Sequence, residues 1–316
     1  MKKYYKSIIC IAVVIAVYFV LDILMKERVI SNYYKRIIIL SCINVILAVS
    51  LNLITGFTGQ LCLGHSGFMA IGAYTAALLA TKFQMPFVVN LLAAGLLAGA
   101  AALLIGIPTL KLTGDYFAIT TLGFCEIIRI IITNIDYLGG PRGMTGIPVK
   151  TNFAIAFFMM VLVIIVIRNI VHSAQGRAMI SIKENEIASE AMGIDTRKYK
   201  ILAFVIAGVI AGIAGGLYSQ YVNFIDPKSF NFMKSIDIVI FVVVGGMGSI
   251  SGSVISASIL TFLPESLRAL QDFRLIVYPL ILIVLMIFRP AGLLGTKEIS
   301  LKPIINLFKK KKQIQN

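Results

Sequence analysis

The sequence predicts an all-α polytopic membrane protein with about 8–10 transmembrane helices and one short helix outside the lipid. Three observations carry that expectation. Of 316 residues, 59% are hydrophobic and 14% charged, with a mean hydropathy of +0.93, whereas soluble domains are about 25% charged. Apolar runs near twenty residues recur, the length that crosses about 30 Å of hydrocarbon. One stretch, 172–200, interrupts the pattern with Arg177, Lys183, Glu184, Glu186, Glu190, Asp195, Arg197, Lys198 and Lys200. A bilayer core does not hold that many charges, so this island belongs in water. Soluble enzyme classes are excluded.

The elements follow in order. Residues 1–35 hold a first span and a basic loop. Lys2, Lys3 and Lys6 precede an apolar run over 7–25. The run is long and no A-x-A cleavage site follows, so it reads as a retained span rather than a signal peptide. Residues 36–295 form the main transmembrane domain, with further spans near 36–55, 61–81, 87–107, 115–133, 152–170, 200–221, 236–247, 250–264 and 273–290. The segments 236–247 and 250–264 are short for a standard core. They are either two short spans or a re-entrant hairpin bent at Gly245-Gly246-Met247-Gly248, which at that depth needs protein or a wet cavity around it. Residues 296–316 are a basic tail carrying Lys309 to Lys312.

Orientation follows from Lys and Arg. With the N-terminus inside, 17 of the 29 fall in inside segments and 11, including Lys35, Arg36 and Lys234, in outside ones; Arg129 lies within a span. The bias puts both termini and the island in the cytoplasm. The basic 26–36 loop is a misfit. The net charge of +15 then reflects cytoplasmic loops meeting anionic lipid, not nucleic-acid binding.

Within the island, Ser181-Ile182-Lys183-Glu184 reads as a capping box. The helix it starts runs to about Met192 and stops at Gly193, a residue suited to a left-handed C-terminal cap. Ile187, Ala188, Ala191 and Met192 share one side at helical spacing, away from Glu184, Glu186 and Glu190. That apolar side is either a docking surface or one face of a solvated loop helix.

Small residues mark helix packing: Gly95 with Gly99, the series Gly208, Gly212 and Gly216, and Gly248 with Gly252. Such spacing brings backbones together in lipid, inside one bundle or, for the 208–216 stripe, against a partner. Cys10, Cys42, Cys62 and Cys125 lie in apolar segments without a C-x-x-C pair and read as small buried hydrophobes. His65 and His172 are too few and too separated for a metal site.

Three stretches resemble one family. Residues 51–74, with Gly56, Gly59, Gln60, Gly64, His65, Gly67, Gly72 and Tyr74, resemble the signature of permeases that import branched-chain amino acids in ATP-binding-cassette (ABC) systems. Gly114-Asp115 through Glu126 and Arg129 to Gly139-Gly140-Pro141-Arg142-Gly143 resembles the LivM branch in particular. The island, from Gly176-Arg177 to Ala191-Met192-Gly193-Ile194, is similar to that family's cytoplasmic coupling segment. The widespread importer coupling motif has Glu-Ala-Ala with a Gly three residues on; here Glu190-Ala191-Met192-Gly193 is compressed, as in the LivM branch. The resemblance implies a permease subunit in the bacterial inner membrane. It also implies a related second permease, two cytoplasmic ATPases that bind the ATP, and an extracytoplasmic amino-acid-binding protein. The chain has no G-x-x-x-x-G-K-[ST] loop of its own, so ATP coupling would need a partner ATPase. In this reading the chain is no enzyme and binds no cofactor itself.

Ser181, Glu184, Ile187, Ala188, Glu190, Ala191, Met192 and Gly193 are the expected ATPase-coupling residues. For the substrate path the candidates are Gly59, Gln60, His65, Glu126 and Arg129. Glu126 and Arg129, at i, i+3 within a span, form either a structural pair or a site facing a cavity. The Gly59-Gln60 turn and His65 either line a wet path or pack around a bend. Asp115 reads as a helix N-terminal anion. Alternative functions are an ABC permease for urea, an amide or another amino acid, and an ion-coupled secondary transporter, for which intramembrane acids are few. A membrane enzyme built on His65 and Ser66 lacks a third orienting group.

Overall fold

The computed structural model describes residues 2–27, 30–112, 114–295 and 298. These residues form twelve α-helices and no named strand. Ten correspond one for one to the expected spans: α1 Lys2–Lys26, α2 Asn32–Asn52, α3 His65–Thr81, α4 Phe87–Thr109, α5 Asp115–Asn134, α6 Phe153–His172, α9 Thr196–Val222, α10 Phe232–Gly245, α11 Ile250–Ser266 and α12 Arg274–Phe288. The island supplies α7 Ala174–Glu184 and α8 Glu186–Ala191. Among the described residues, α2 with its π-turn extension through Phe57, α4, α5, α6 and α9 are each long and apolar enough to cross a membrane.

Short polar side chains start many of these helices. Asn152, Ser173, Asn185, Asp195, Asn231 and Ser249 each accept a backbone N–H in the first turn that follows, satisfying a donor that has no partner inside the helix. Pro86 stands directly ahead of α4.

The bundle centres on α9, which packs along α3 and α4. Glycine makes that approach possible. A Cβ on Gly72 would stand 2.1 Å from the Gly212 carbonyl oxygen, and one on Gly212 2.5 Å from that of Ala94. The 208–216 stripe is therefore spent inside the chain, against α3 and α4, and not on a partner. Gly252 packs likewise on Gly245, joining α10 to α11.

Contacts sort the loops onto two faces. The island shares its face with the turn after α2, where Gly59 packs on Lys183; with the end of α4, whose Ile107 carbonyl accepts from Arg197; and with the 246–249 bend, where Lys183 Nζ approaches Gly248. The segment after α12 is there too, since Leu293 and Leu294 donate to the Val244 and Gly245 carbonyls. The opposite face gathers Lys82 over Tyr137, the Met144–Ile225 bridge, and Tyr33 donating to Glu265 beneath Arg268. The basic residues Lys35 and Arg36 open α2 on this second face.

Of the two alternatives open for 236–264, the contacts do not favour a hairpin tip deep in the bundle: the bend at Gly245 to Gly248 meets Lys183 and Asn52 at the island face. The other end of α10 begins partway along the bundle, at its surface, where Phe232 and Met233 are exposed. The Phe232 N–H donates to Glu126 of α5, and Glu126 lies eleven residues, about 16 Å, along α5 from the island-face end. The chain leaving α9 thus folds back to roughly half depth before α10 starts. The tail beyond Gly295, Glu298 excepted, lies outside the described residues, and so does the Cys10 side chain; Cys42, Cys62 and Cys125 are buried free thiols.

Candidate functional site

The island is built differently from the capping-box reading. Ser181 sits inside α7, and its hydroxyl donates to the Ala178 carbonyl. Ser173 caps α7 instead, accepting from the Gly176 N–H. The helix breaks at Asn185, whose side chain accepts from the Ala188 N–H and starts α8. One expected helix is therefore two, because Asn185 in an extended conformation (φ −161°, ψ 109°) competes better for the backbone than helix continuation does.

The stop at Gly193 stands. Its φ is +82°, its N–H donates to the Glu190 carbonyl, and the Ile194 N–H donates to that of Ser189. These are the paired bonds of a Schellman motif. Glu190 accepts from the Thr196 hydroxyl at 2.7 Å, tying the end of α8 to the start of α9. Glu186 pairs with the buried Lys200 of α9. Clamped at both ends, α8 turns its apolar side outward. Ile187 and Met192 are each 82% exposed, and Ala188 and Ala191 are exposed beside them. Glu184 is exposed at the end of α7.

Beneath α7 lies a tightly built joint. Buried Asn52, in the last turn of α2, donates to the Ser249 carbonyl and accepts from the Gly248 N–H, both at 2.9 Å. A Cβ on Gly56 would collide with this clamp, 2.4 Å from the Gly248 nitrogen. Lys183 packs between Gly59 and Gly248. Lys183 of α7 thus meets both the segment after α2 and the bend between α10 and α11.

The candidate path residues do not converge. Gly59 and Gln60 lie at this joint, on the island face, with Gln60 buried. His65 is fully buried, 2.8 Å from the Ser50 hydroxyl. Its neighbour Ser66 faces elsewhere, bonding Cys125 of α5, Ser235 of α10 and the Asn231 carbonyl, so the two form no catalytic pair. Glu126 and Arg129 do form the ion pair expected from their spacing, at 2.6 Å. The remaining Glu126 oxygen accepts from the Phe232 N–H at 3.1 Å, which ties α5 to the start of α10. Asp115 is the first residue of α5. Among the described residues no group of three His, Cys, Asp or Glu could hold a metal ion.

The outside-loop placement of Lys234 is corrected, and Asp237 is a residue the sequence reading did not single out: both occupy the first turns of α10, and the fold-back carries them to half depth. Lys234 Nζ donates to Asn44 of α2 at 3.3 Å. An alternation of charge just ahead of an apolar run was the available signal, but it also describes an ordinary loop.

Residues 33–289 match the family of branched-chain amino acid transport system permease components. The chain belongs to that family. It is 36% identical over 298 aligned residues to the high-affinity branched-chain amino acid transport system permease protein LivM of Escherichia coli K12, covering 83% of this chain and 70% of that protein. The LivM protein of Salmonella typhimurium is 35% identical over the same shares. A probable LivM of Methanocaldococcus jannaschii is 30% identical over 138 residues, 40% of this chain and 39% of the relative. No solved structure matches. As a family member the chain is a multi-pass transport permease subunit.

Proposed function

We propose that this permease forms part of the path for leucine, isoleucine and valine in an ABC importer of a bacterial inner membrane. The island face is cytoplasmic, and α8 docks on a separate ATPase. One observation carries the coupling half of this reading: an exposed apolar side of four residues on a short helix that is capped, clamped by Glu190–Thr196 and Glu186–Lys200, and joined through α7 to the ends of three spans. A permanently solvated helix gains nothing from such a face, whereas a docking helix gains burial.

The mechanism follows from the joint. Closure of two ATPases around ATP displaces α7 and α8 together. Lys183 and the Asn52 clamp carry that displacement to the π-turn of α2 and the α10–α11 bend, the island-face ends of the spans. Differential ATPase binding to two arrangements of those ends supplies the bias that alternating access needs. The complete importer includes a related second permease and an extracytoplasmic amino-acid-binding protein that delivers substrate to the opposite face.

The test is purification of the tagged chain from its native membrane in mild detergent. The reading expects a stoichiometric subunit carrying a G-x-x-x-x-G-K-[ST] loop, released when Ala191 is replaced by Asp. A chain purified alone, or one whose ATPase is held equally well by Ala191→Asp, counts against it.

A further inference from the structure

We infer that Lys234 and Asp237 on α10 form a binding site for the two charged ends of a zwitterionic amino acid, the carboxylate at Lys234 and the ammonium at Asp237. The inference rests on the importer reading above and names the substrate contact which that reading leaves open.

The position comes first. α10 begins where the Phe232 N–H meets Glu126, about 16 Å up α5 from the island face. From the other side, Lys234 Nζ reaches Asn44, twelve residues or about 18 Å along α2 from its start on the opposite face. Both measures put the first turns of α10 near the middle of a core about 30 Å thick. An ionisable residue at that depth is costly and marks a pathway or binding function unless its charge is neutralised locally.

No ion pair at bonding distance holds either of these charges. Among the described residues the ion pairs are Lys26–Asp22, Arg129–Glu126 and Lys200–Glu186. Lys234 and Asp237 are one turn apart on one helix face, and their charges interact at longer range, but they make no ion pair. The ammonium of Lys234 has one neutral acceptor, the Asn44 amide oxygen, and the Asn44 nitrogen is already committed to Thr261 of α11 at 3.0 Å. Both side chains are half-buried.

The contrast with Glu126 and Arg129 decides between the two charged pairs at this depth. Glu126 spends one oxygen on Arg129 and the other on the start of α10, so a substrate would have to break that arrangement. Lys234 offers ammonium protons and Asp237 offers carboxylate oxygens with no ion pair to break. A molecule carrying one carboxylate and one ammonium on the same carbon supplies both missing partners at once. The charge-assisted bonds that result are about twice as strong as neutral ones. A monovalent ion would satisfy only one of the two, and an uncharged amide could bond both but would neutralise neither charge.

The test uses proteoliposomes holding the full importer, with leucine-loaded binding protein outside and ATP on the ATPase side. Wild-type complex is expected to accumulate leucine; no ATP-dependent uptake by the wild type would overturn the importer reading itself, and this inference with it. Given wild-type uptake, Lys234→Met and Asp237→Asn should each lower it about tenfold or more, the loss of one hydrogen bond to a charged group. They should do so at unchanged yield of assembled complex. Lys234→Arg and Asp237→Glu, which keep the charge, should recover much of the rate. Uptake by the neutral variants within twofold of wild type would refute the site. Loss of assembly in both neutral variants, or failure of both charge-preserving variants to recover any uptake, would equally refute it and make the pair structural.

Discussion

Truncating Ile187 and Met192 together to Ala should leave the permease folded and cripple its hold on an ATPase. Both side chains are 82% exposed in the free chain, so their removal takes little packing from it; surface changes of this kind stay within about 0.5 kcal/mol. In a docked complex both would be buried. Full burial of each is worth about 1.5–3 kcal/mol. Truncation keeps a methyl on each, and association does not return the whole area term. A combined loss of about 2–4 kcal/mol is therefore expected, a dissociation constant raised roughly 30- to 1,000-fold. Titrating purified ATPase against the detergent-solubilised permease measures it directly. A dissociation constant within threefold of wild type would show that α8 does not dock through this side. A sharp drop in the yield of folded permease would show that the side is covered within the chain's own assembly.

Three further outcomes follow from the same geometry. Gly193→Ala forces an L side chain to a φ of +82° in otherwise open space, a strain of about 1 kcal/mol or more; substrate-stimulated ATP hydrolysis should fall while membrane insertion, read by membrane-fraction yield, is unchanged. Asn52→Leu strands the Gly248 N–H and the Ser249 carbonyl, at about 1–3 kcal/mol each, and should lower the thermal midpoint of the solubilised chain by several degrees. Lys200, 6% exposed, relies on Glu186, 39% exposed, so Glu186→Ala should loosen α8 more than Lys200→Met does, because the first leaves a buried charge alone and the second removes it. Hydrogen exchange of the α8 amides ranks the two.

The spans were legible because each is an apolar run closed by recognisable punctuation. Asn152, Asp195 and Ser249 cap helices where the runs begin, and Pro86 precedes another. Gly193 was legible for the same reason, being the glycine that follows the last apolar position of a short helix. The capping box failed because 172–200 contains several residues able to cap, Ser173, Ser181, Asn185 and Asp195 among them, and local pattern does not say which one is extended. Depth was the least legible property. Lys234 looks like a loop lysine beside a short span, and only the return of 223–231 into the bundle, fixed by the Glu126 bond to the Phe232 N–H, carries it to half depth. The Asn52 clamp joins residues 196 or more positions apart, a relation that no local window contains.

On the proposed reading, this chain moves amino acids only as the membrane part of an ATP-driven assembly. Radiolabelled leucine uptake into proteoliposomes tests it most directly, comparing the chain alone under an imposed proton or sodium gradient with the chain plus second permease, ATPases and loaded binding protein. No uptake is expected from the chain alone under either gradient, and uptake by the complete set should stop when ATP is replaced by a non-hydrolysable analogue. Robust gradient-driven uptake by the isolated chain would contradict it and make the protein a secondary transporter.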